Sequence, residues 1–222
     1  MAAADPPTGT EDPDWARFAA LDRMTNHWDR PGWRPGRTAY YWYLSFRDQP
    51  AVQALAEQCQ SVVAAPHFDL IAPTDLHITV ERVAFAEEIE ESALDQVVRN
   101  ARIELSGFGE LRFQVGPLAG SKGALSFSTS RQQRLFELRS LVLTATHSAG
   151  FATDVPADGT FRPHVGIGYC NRTVDARPII EQVHGLRTLP PVDVCISELA
   201  LVTLARHERA YSWEIFDRIA LQ

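Results

Sequence analysis

The sequence predicts an α+β fold whose sheets are largely antiparallel. Strand-like segments with a two-residue hydrophobic period alternate along the chain with helix-like segments of 3.6-residue period. Several of the strands are separated only by short polar turns, and such turns join antiparallel neighbours. The segments also divide into two halves, and each half contains a strand that carries a histidine.

The predicted elements of the main body begin with an aromatic-rich strand at 39–46, AYYWYLSF, whose residue types are enriched in strands. Pro50 starts a helix over 50–63, because proline is favoured in the first helical turn. A Pro-Gly loop at 30–37 and a short helix within 14–28 precede this body. The remaining predictions are strands at 76–83, 111–118, 124–129, 164–169, 192–206 and 211–221, and helices at 87–105, 131–148 and 174–184.

Composition and charge restrict the class of protein. Hydrophobic residues make up 45% of the 222 residues and charged residues 22%, which is enough apolar material for a packed core. The formal net charge of -7 argues against a protein that grips long nucleic acids by their backbone, because such proteins usually have a basic surface. A small anionic ligand fits this charge, since a few local cations can hold one phosphate.

Nothing in the chain predicts export or a membrane location. Residues 1–14 are rich in Pro, Ala, Asp and Thr, which predicts disorder, and they lack the apolar segment of a signal peptide. No apolar run approaches the length of a membrane span. The three cysteines are odd in number and far apart, so no disulfide framework is expected. We therefore expect a monomeric, cytoplasmic protein with no membrane contact.

Two predicted strands place a histidine on the face opposite their apolar side chains. In LHITV at 76–80, alternation puts His77, Thr79 and Glu81 on one face and the apolar residues on the other. In RPHVGIGY at 162–169, it puts Arg162, His164, Gly166 and Gly168 on one face and the apolar residues, the terminal tyrosine included, on the other. Each strand therefore offers a histidine from its non-core face.

Two imidazoles that face each other across a cleft can perform concerted acid/base chemistry. One accepts a proton from the attacking hydroxyl or water, and the other donates a proton to the leaving oxygen; histidine suits both tasks because its pKa lies near neutrality. Thr79 lies beside His77 and can donate a hydrogen bond to a phosphoryl oxygen. A single strand histidine is more often an ordinary surface or structural residue, but two in matched strands favour a catalytic pair.

The segments Leu-His-Ile-Thr-Val at 76–80 and Arg-Pro-His-Val-Gly-Ile-Gly at 162–168 resemble the two H-x-T/S-x signatures of the two-histidine (2H) phosphoesterases. The similarity is greatest to the branch called 2′-5′ RNA ligase-like proteins or RNA 2′,3′-cyclic phosphodiesterases. It extends over most of residues 38–221, including the opening aromatic strand and the closing segment at 196–204.

The resemblance implies a bilobal, pseudo-twofold fold in which two largely antiparallel sheets form a concave cleft flanked by helices. It implies a single domain at 38–222 after an N-terminal extension, partly disordered, at 1–37. The implied activity is metal-independent opening of 2′,3′-cyclic phosphates, without a cofactor. His77 and His164 would be the acid/base pair, and Thr79 would bind the phosphate.

One position departs from the family signature. The second motif should read His-x-Thr or His-x-Ser, but it reads His164-Val-Gly166, so one phosphate-binding hydroxyl is missing. Removing one such donor typically costs about two to three orders of magnitude in rate. Gly166 also leaves room beside the histidine, so activity could be weakened, redirected to another substrate, or lost.

Further substrate contacts are predicted from residue type and position. Arg162 shares the His164 face and could contact a phosphate, whereas Tyr41 and Tyr43 of the aromatic strand could stack on a base. The remaining histidines are predicted to be surface residues: His27, His67, His147, His184 and His207. No set of residues has zinc-site spacing, and the segment GPLAGSK at 116–122 lacks the spacing of a phosphate loop.

Three functions remain open at this level. The first is a phosphoesterase that opens a 2′,3′-cyclic phosphate on a small nucleotide or an RNA end. The second is an enzyme with the same fold and histidine pair that acts on another metabolite, as Gly166 suggests. The third is a non-catalytic module that binds RNA or a nucleotide.

Overall fold

The fold is of the α+β class, as the sequence predicts, and its two main sheets are antiparallel throughout. The computed structural model describes residues 12–29, 31–63, 65–130, 132–151 and 161–222. In these residues the α-helices are α1 Pro13–Ala19, α2 Pro50–Val63, α3 Glu91–Glu104, α4 Gln132–Ser148 and α5 Arg177–Leu186. The strands are β1 Arg23–Met24, β2 Thr38–Ser45, β3 Phe68–Leu70, β4 His77–Phe85, β5 Leu111–Gly120, β6 Ala124–Thr129, β7 Val165–Cys170, β8 Val174–Asp175, β9 Val192–Ile196, β10 Glu198–Arg206 and β11 Tyr211–Ala220.

The first lobe is a four-stranded sheet with the order β11-β10-β2-β4. Helices α3 and α4 pack against each other and against this sheet, so its helix-facing side belongs to the main core. Its other face carries a separate, smaller cluster of buried side chains, which are Tyr43, Ala200, Val202, Leu204 and Trp213. We call this second face the cleft face of the first lobe.

The second lobe is a five-stranded sheet with the order β3-β7-β6-β5-β9. Helices α2 and α5 pack together and contact strands of this sheet. The two lobes are interleaved in sequence, because α2 follows a strand of the first lobe and the C-terminal strands β10 and β11 return to that lobe. The two sequence halves that the pattern indicates therefore do not correspond to the two lobes.

The segment before β2 packs against the folded body. Phe18 and Met24 are fully buried in the main core, and Trp28 is 6% exposed. The helix predicted within 14–28 ends at Ala19, and the short strand β1 that follows pairs with β8. The predicted disorder of residues 1–14 falls mostly outside the described residues.

The strand predicted at 192–206 is two strands in different sheets. β9 belongs to the second lobe and β10 to the first, and the chain passes between the lobes at Ser197. The Ser197 carbonyl accepts a hydrogen bond from the Leu221 backbone N–H, which secures this crossing. None of the described helices has both the length and the apolar character needed to cross a membrane.

Candidate active site

His77 lies at the start of β4, on the cleft face of the first lobe. Its imidazole stacks on the Tyr43 ring with 3.9 Å between centroids and 10° between planes. Trp213 meets the same imidazole edge-on, with 6.2 Å between centroids. Aromatic contacts on two sides restrict the ring to one orientation, which is a requirement for a residue that must transfer a proton along a defined line.

Both motif histidines make the same backbone hydrogen bond. His77 Nδ1 lies 2.7 Å from the Asp75 carbonyl oxygen, and His164 Nδ1 lies 2.7 Å from the Arg162 carbonyl oxygen. A carbonyl oxygen can only accept, so Nδ1 carries a proton in each ring. In each ring, Nε2 is therefore the nitrogen that does not bond to this carbonyl oxygen.

The electrostatics of His77 differ from those of an ordinary histidine. Burial lowers the pKa of His77 to about 4; the hydrogen bond to Asp75 opposes this shift, and the charge of His164 adds to it. The charge of His164 reaches His77, and strands β4 and β7, which carry or follow the two motifs, are in contact. At neutral pH His77 is thus uncharged, with a bare Nε2, whereas His164 is exposed.

A β-bulge follows the motif in each lobe. In β4, Val80 is the extra residue, since Tyr43 pairs with Thr79 and Trp42 pairs with Glu81. In β7, the extra residue is Ile167. A bulge reverses the alternation of side chains beyond it, so simple two-residue periodicity fails at these positions.

The bulges change which side chains face the cleft. Glu81 is turned into the core, where it accepts hydrogen bonds from Arg139, and Arg82 takes the cleft face instead. In β7 the buried Gly168 lies on the core side, and Tyr169 joins the His164 face. Simple alternation along the sequence places all four of these residues on the wrong face, and no signal in the sequence marks the bulges.

Thr79 is placed beside Tyr43, whose ring in turn contacts that of Tyr41. Tyr43 is its cross-strand partner, and the Thr79 hydroxyl and the Tyr43 phenol share a hydrogen bond. Burial raises the pKa of Tyr43 well above its usual value, and the neighbouring phenols of Tyr169 and Tyr41 add to this effect. The predicted residues Thr79, Tyr41 and Tyr43 therefore share the cleft with a tyrosine of the second lobe.

Gly166 lies next to His164 along the exposed face, as predicted, but its surroundings are apolar. A Cβ atom at this position would lie 3.2 Å from Ile71 Cδ1, the flexible end of a side chain. Ser126 pairs with Gly166 across β6 and shares its half-buried face. Arg162 is exposed, and its carbonyl orients His164.

An aromatic wall connects the two lobes at one end of the cleft. His27 stacks on Tyr169 with 4.1 Å between centroids, and its Nε2 lies 3.3 Å from the Tyr211 hydroxyl. Trp28 contacts both tyrosines. His27 is half-buried in this wall, so its assignment as a plain surface residue was wrong.

A charged contact next to this wall also crosses between the lobes. Asp69 of β3 accepts hydrogen bonds from Trp28 Nε1 at 2.8 Å and from Asn171 at 3.1 Å, and it pairs with Arg209 in the β10–β11 turn. Burial alone would raise the pKa of Asp69, but the hydrogen bonds from Arg209, Trp28 and Asn171 outweigh it and lower that pKa. Across the described part of the chain, no group of three or more His, Cys, Asp and Glu side chains is arranged to hold a metal ion.

The fold and the paired histidine strands define a class of protein. The family model of the 2′-5′ RNA ligase superfamily matches residues 46–208, and the chain belongs to this family. Residues 12–37, which include His27 and Trp28, lie outside the matched region. A search of curated proteins finds no match.

Solved structures show the same fold at low sequence identity. The Escherichia coli LigT complexed with 3′-AMP is 13% identical with a TM-score of 0.60, and the match covers 84% of this chain and 99% of that one. A protein of Thermus thermophilus is 16% identical with a TM-score of 0.59, covering 83% and 97% of the two chains. A protein described as a phosphoesterase is 14% identical with a TM-score of 0.58, covering 85% and 99%.

Proposed function

We propose that this protein is a metal-independent phosphodiesterase that opens 2′,3′-cyclic phosphates of nucleotides or RNA ends. The observation that carries this proposal is the matched pair of Nδ1 hydrogen bonds, from His77 to Asp75 and from His164 to Arg162. This arrangement presents Nε2 of both rings for proton transfer. Membership of the 2′-5′ RNA ligase superfamily supports the same class of chemistry.

The lowered pKa of His77 supports an assignment of the base and acid roles to the two histidines. Because His77 is neutral at physiological pH, its Nε2 accepts the proton of the attacking water. The water oxygen bonds to phosphorus as the bond from phosphorus to the ribose 3′-oxygen breaks. His164, in its protonated form, donates the Nε2 proton to that oxygen, and the product is a 2′-phosphate.

Stabilisation of the phosphoryl charge is unequal on the two sides of this site. On the first lobe the Thr79 hydroxyl lies on the face of His77 and can donate to a phosphoryl oxygen. On the second lobe Gly166 offers no hydroxyl, and Ser126, its cross-strand neighbour, is the nearest candidate in register. Ser126 would then supply the donor that the second motif lacks.

The substrate is a small nucleotide or a short RNA end. The net charge of -7 disfavours a long polyanion, and the aromatic wall with His27 and Tyr211 connects the lobes at one end of the cleft. LigT of Escherichia coli has been crystallised with 3′-AMP and with ATP, which supports a nucleotide-sized ligand. The packing of Ile71 beside Gly166 favours a second candidate, in which the same chemistry acts on another phosphorylated metabolite.

A panel of 2′,3′-cyclic nucleotides and cyclic-ended oligoribonucleotides, assayed with a chelator present, tests the proposal. We expect turnover in the wild type and a loss of about a hundred- to ten-thousandfold in His77→Ala and in His164→Ala. His147→Ala on the exposed side of α4 is the matched control and should retain full activity.

Two results would overturn the proposal. One is turnover that persists in either active-site variant at the level of the His147→Ala control. The other is a wild type that binds cyclic nucleotides but hydrolyses none of them, which would favour a non-catalytic binding module. Activity that is lost with chelator and restored by added metal would refute metal independence alone.

A further inference from the structure

We propose that Arg82 binds a second phosphate group of the substrate, separate from the phosphate that reacts between the histidines. The proposal rests on the proposed function for the identity of the reacting group, and it adds a substrate class. The favoured substrate carries at least two phosphates, as an RNA end or a nucleotide with a further phosphate on its 5′ side does.

The backbone places Arg82 on the substrate side of the sheet. Bulges at Val80 and Val83 give Arg82 the cross-strand position opposite Tyr41, on the face that also carries His77 and Thr79. The burial pattern agrees, because Arg82 is half-buried between the buried residues on both sides of it in the chain. Without the first bulge, Arg82 would face the helices.

The Arg82 guanidinium has no carboxylate partner among the described residues. It lies over the Phe85 ring, with 4.5 Å from Cζ to the ring centroid. By contrast, carboxylates pair with Arg37, which also contacts the Phe85 ring, with Arg139 of α4 and with Arg209 of the β10–β11 turn. The carboxylate next in sequence, Glu81, is turned to the other side of the strand.

A half-buried cation without a counter-ion is a site for an anion. Partial burial removes water from the guanidinium, and the contact with Phe85 compensates only part of that cost. The planar donor set of arginine matches the oxygens of a phosphate and can bind it through two hydrogen bonds. The chemistry of the ligand is therefore a phosphate rather than a neutral group.

The position of Arg82 separates this site from the reacting centre. A strand rises about 3.3 Å per residue, and the bulge shortens the rise between His77 and Arg82. The Cα atoms of these two residues therefore lie roughly 13 to 16 Å apart. The contact with Phe85, three residues further along, holds the guanidinium away from His77. A phosphate between the histidines would leave Arg82 available for a different phosphate of the same ligand.

The test is a binding measurement that requires no turnover. Calorimetric affinities of adenosine 2′-phosphate are compared with those of adenosine 2′,5′-bisphosphate and of a diadenosine with an internal phosphodiester and a terminal 2′-phosphate. We expect at least one two-phosphate ligand to bind about ten- to a hundredfold more tightly than the monophosphate. A gain confined to the dinucleotide identifies an RNA end, and a gain with the bisphosphate identifies a small nucleotide.

In Arg82→Gln this gain should disappear, while the affinity for adenosine 2′-phosphate stays unchanged and so reports an intact fold. Arg82→Lys should retain part of the gain, and Arg99→Gln on the exposed face of α3 removes the same charge as a control. Equal affinities of one- and two-phosphate ligands in the wild type, or a gain that survives in Arg82→Gln, would overturn the proposal. A gain without any hydrolysis of cyclic phosphates would sustain the Arg82 site and reject the proposed function instead.

Discussion

At the scale of single residues, the contacts that suit His77 to the proposed role of general base also affect the stability of the protein. The ring is held by Tyr43 on one face and by the Asp75 carbonyl at Nδ1, and burial keeps it neutral. These contacts suit a general base, because they fix the tautomer and leave Nε2 unprotonated. The same contacts disfavour protonation of the folded protein relative to the unfolded chain.

Stability should therefore fall in mildly acidic solution through His77. The pKa of His77 is about 4 in the folded state and 6.5 in the unfolded chain, so between these values the unfolded state binds more protons. The free energy of unfolding is then greatest above pH 6.5 and falls by about 3 kcal/mol as the pH drops towards 4. Urea denaturation from pH 4 to pH 7 measures this, and His77→Gln should flatten the curve. An unchanged pH slope in His77→Gln would refute the assignment.

Gly166 decides how the second motif departs from the family signature. A serine there fits the backbone, since Gly166 does not adopt a positive φ, but its Cβ requires Ile71 to move by a few tenths of an ångström. If the lost hydroxyl weakens a conventional phosphodiesterase, Gly166→Ser should raise the rate on cyclic nucleotides by about tenfold or more. The double variant Gly166→Ser with Ile71→Val, which removes the contacting Cδ1 atom, should gain further.

The kinetics of both variants and of Ile71→Val alone on one cyclic nucleotide panel separate the two interpretations. A lower rate on the true substrate, with no gain on cyclic nucleotides, would mean that the bare strand accommodates a different or bulkier substrate. Activity in neither the wild type nor the serine variants would end the conventional interpretation.

At the scale of elements, strand β4 is joined to helix α4 by a buried ion pair. Arg139 of α4 donates from Nε to Glu81 Oε2 at 2.7 Å, and the side chains of the pair are 9% and 4% exposed. The bulge at Val80 makes this contact possible, because it turns Glu81 towards the helix. The same backbone feature therefore anchors the helix and delivers Arg82 to the cleft.

Breaking this pair from one side should be costly. Glu81→Gln leaves Arg139 buried without a counter-charge, which typically destabilises a protein by about 3–5 kcal/mol. Replacement of both residues by methionine should restore much of that loss, since no unpaired charge remains. Denaturant unfolding of the single and double variants measures the effect, with Glu137→Gln in the exposed pair with Arg134 as a control of about 0–1 kcal/mol. A loss in Glu81→Gln no larger than in the control would contradict the account.

Sequence periodicity predicts the elements well where a single face is buried without interruption. The aromatic strand β2 and the helix α2 occupy nearly the expected residues, and so does the hairpin strand β6. It fails where an element is interrupted within an apolar run, as at Ser197, because both β9 and β10 are apolar enough to be taken as one strand. It also fails at Val80 and Ile167, where one extra residue reverses the alternation.

Periodicity also predicts only part of the candidate site. The motif histidines and Thr79 precede the bulges, so alternation places them correctly on the face opposite the core. Arg82 and Tyr169, each five residues after its motif histidine, follow the bulges and could not be assigned from periodicity. The contribution of His27 depends on how the N-terminal segment packs against a distant strand, which local sequence does not encode.

At the scale of the whole molecule, the cleft depends on how the two lobes are held together. The Asp69–Arg209 pair and the aromatic wall around Tyr169 and Tyr211 both cross between the sheets. Arg206, buried in β10, donates to the Trp33 carbonyl at 2.9 Å and to the Trp28 carbonyl, so it fixes the N-terminal segment against the first lobe. These contacts lie at the end of the cleft where residues 12–37, which the family model does not match, pack against the lobes.

We expect Arg209→Ala to loosen the lobes without unfolding the protein. Arg209 is exposed on the β10–β11 turn, so its loss should change global stability little, but it is the charged contact of that turn with β3. Asp69 would keep its hydrogen bonds from Trp28 and Asn171, and the aromatic wall would remain. Backbone hydrogen exchange should therefore accelerate at 207–210 and at 68–70, and the KM for a substrate should rise while kcat changes less.

The matched control is Arg112→Ala, which removes the same charge from a local pair with Glu110 within the second lobe. Equal exchange rates at these two segments in both variants would show that the Asp69–Arg209 pair does not hold the cleft together.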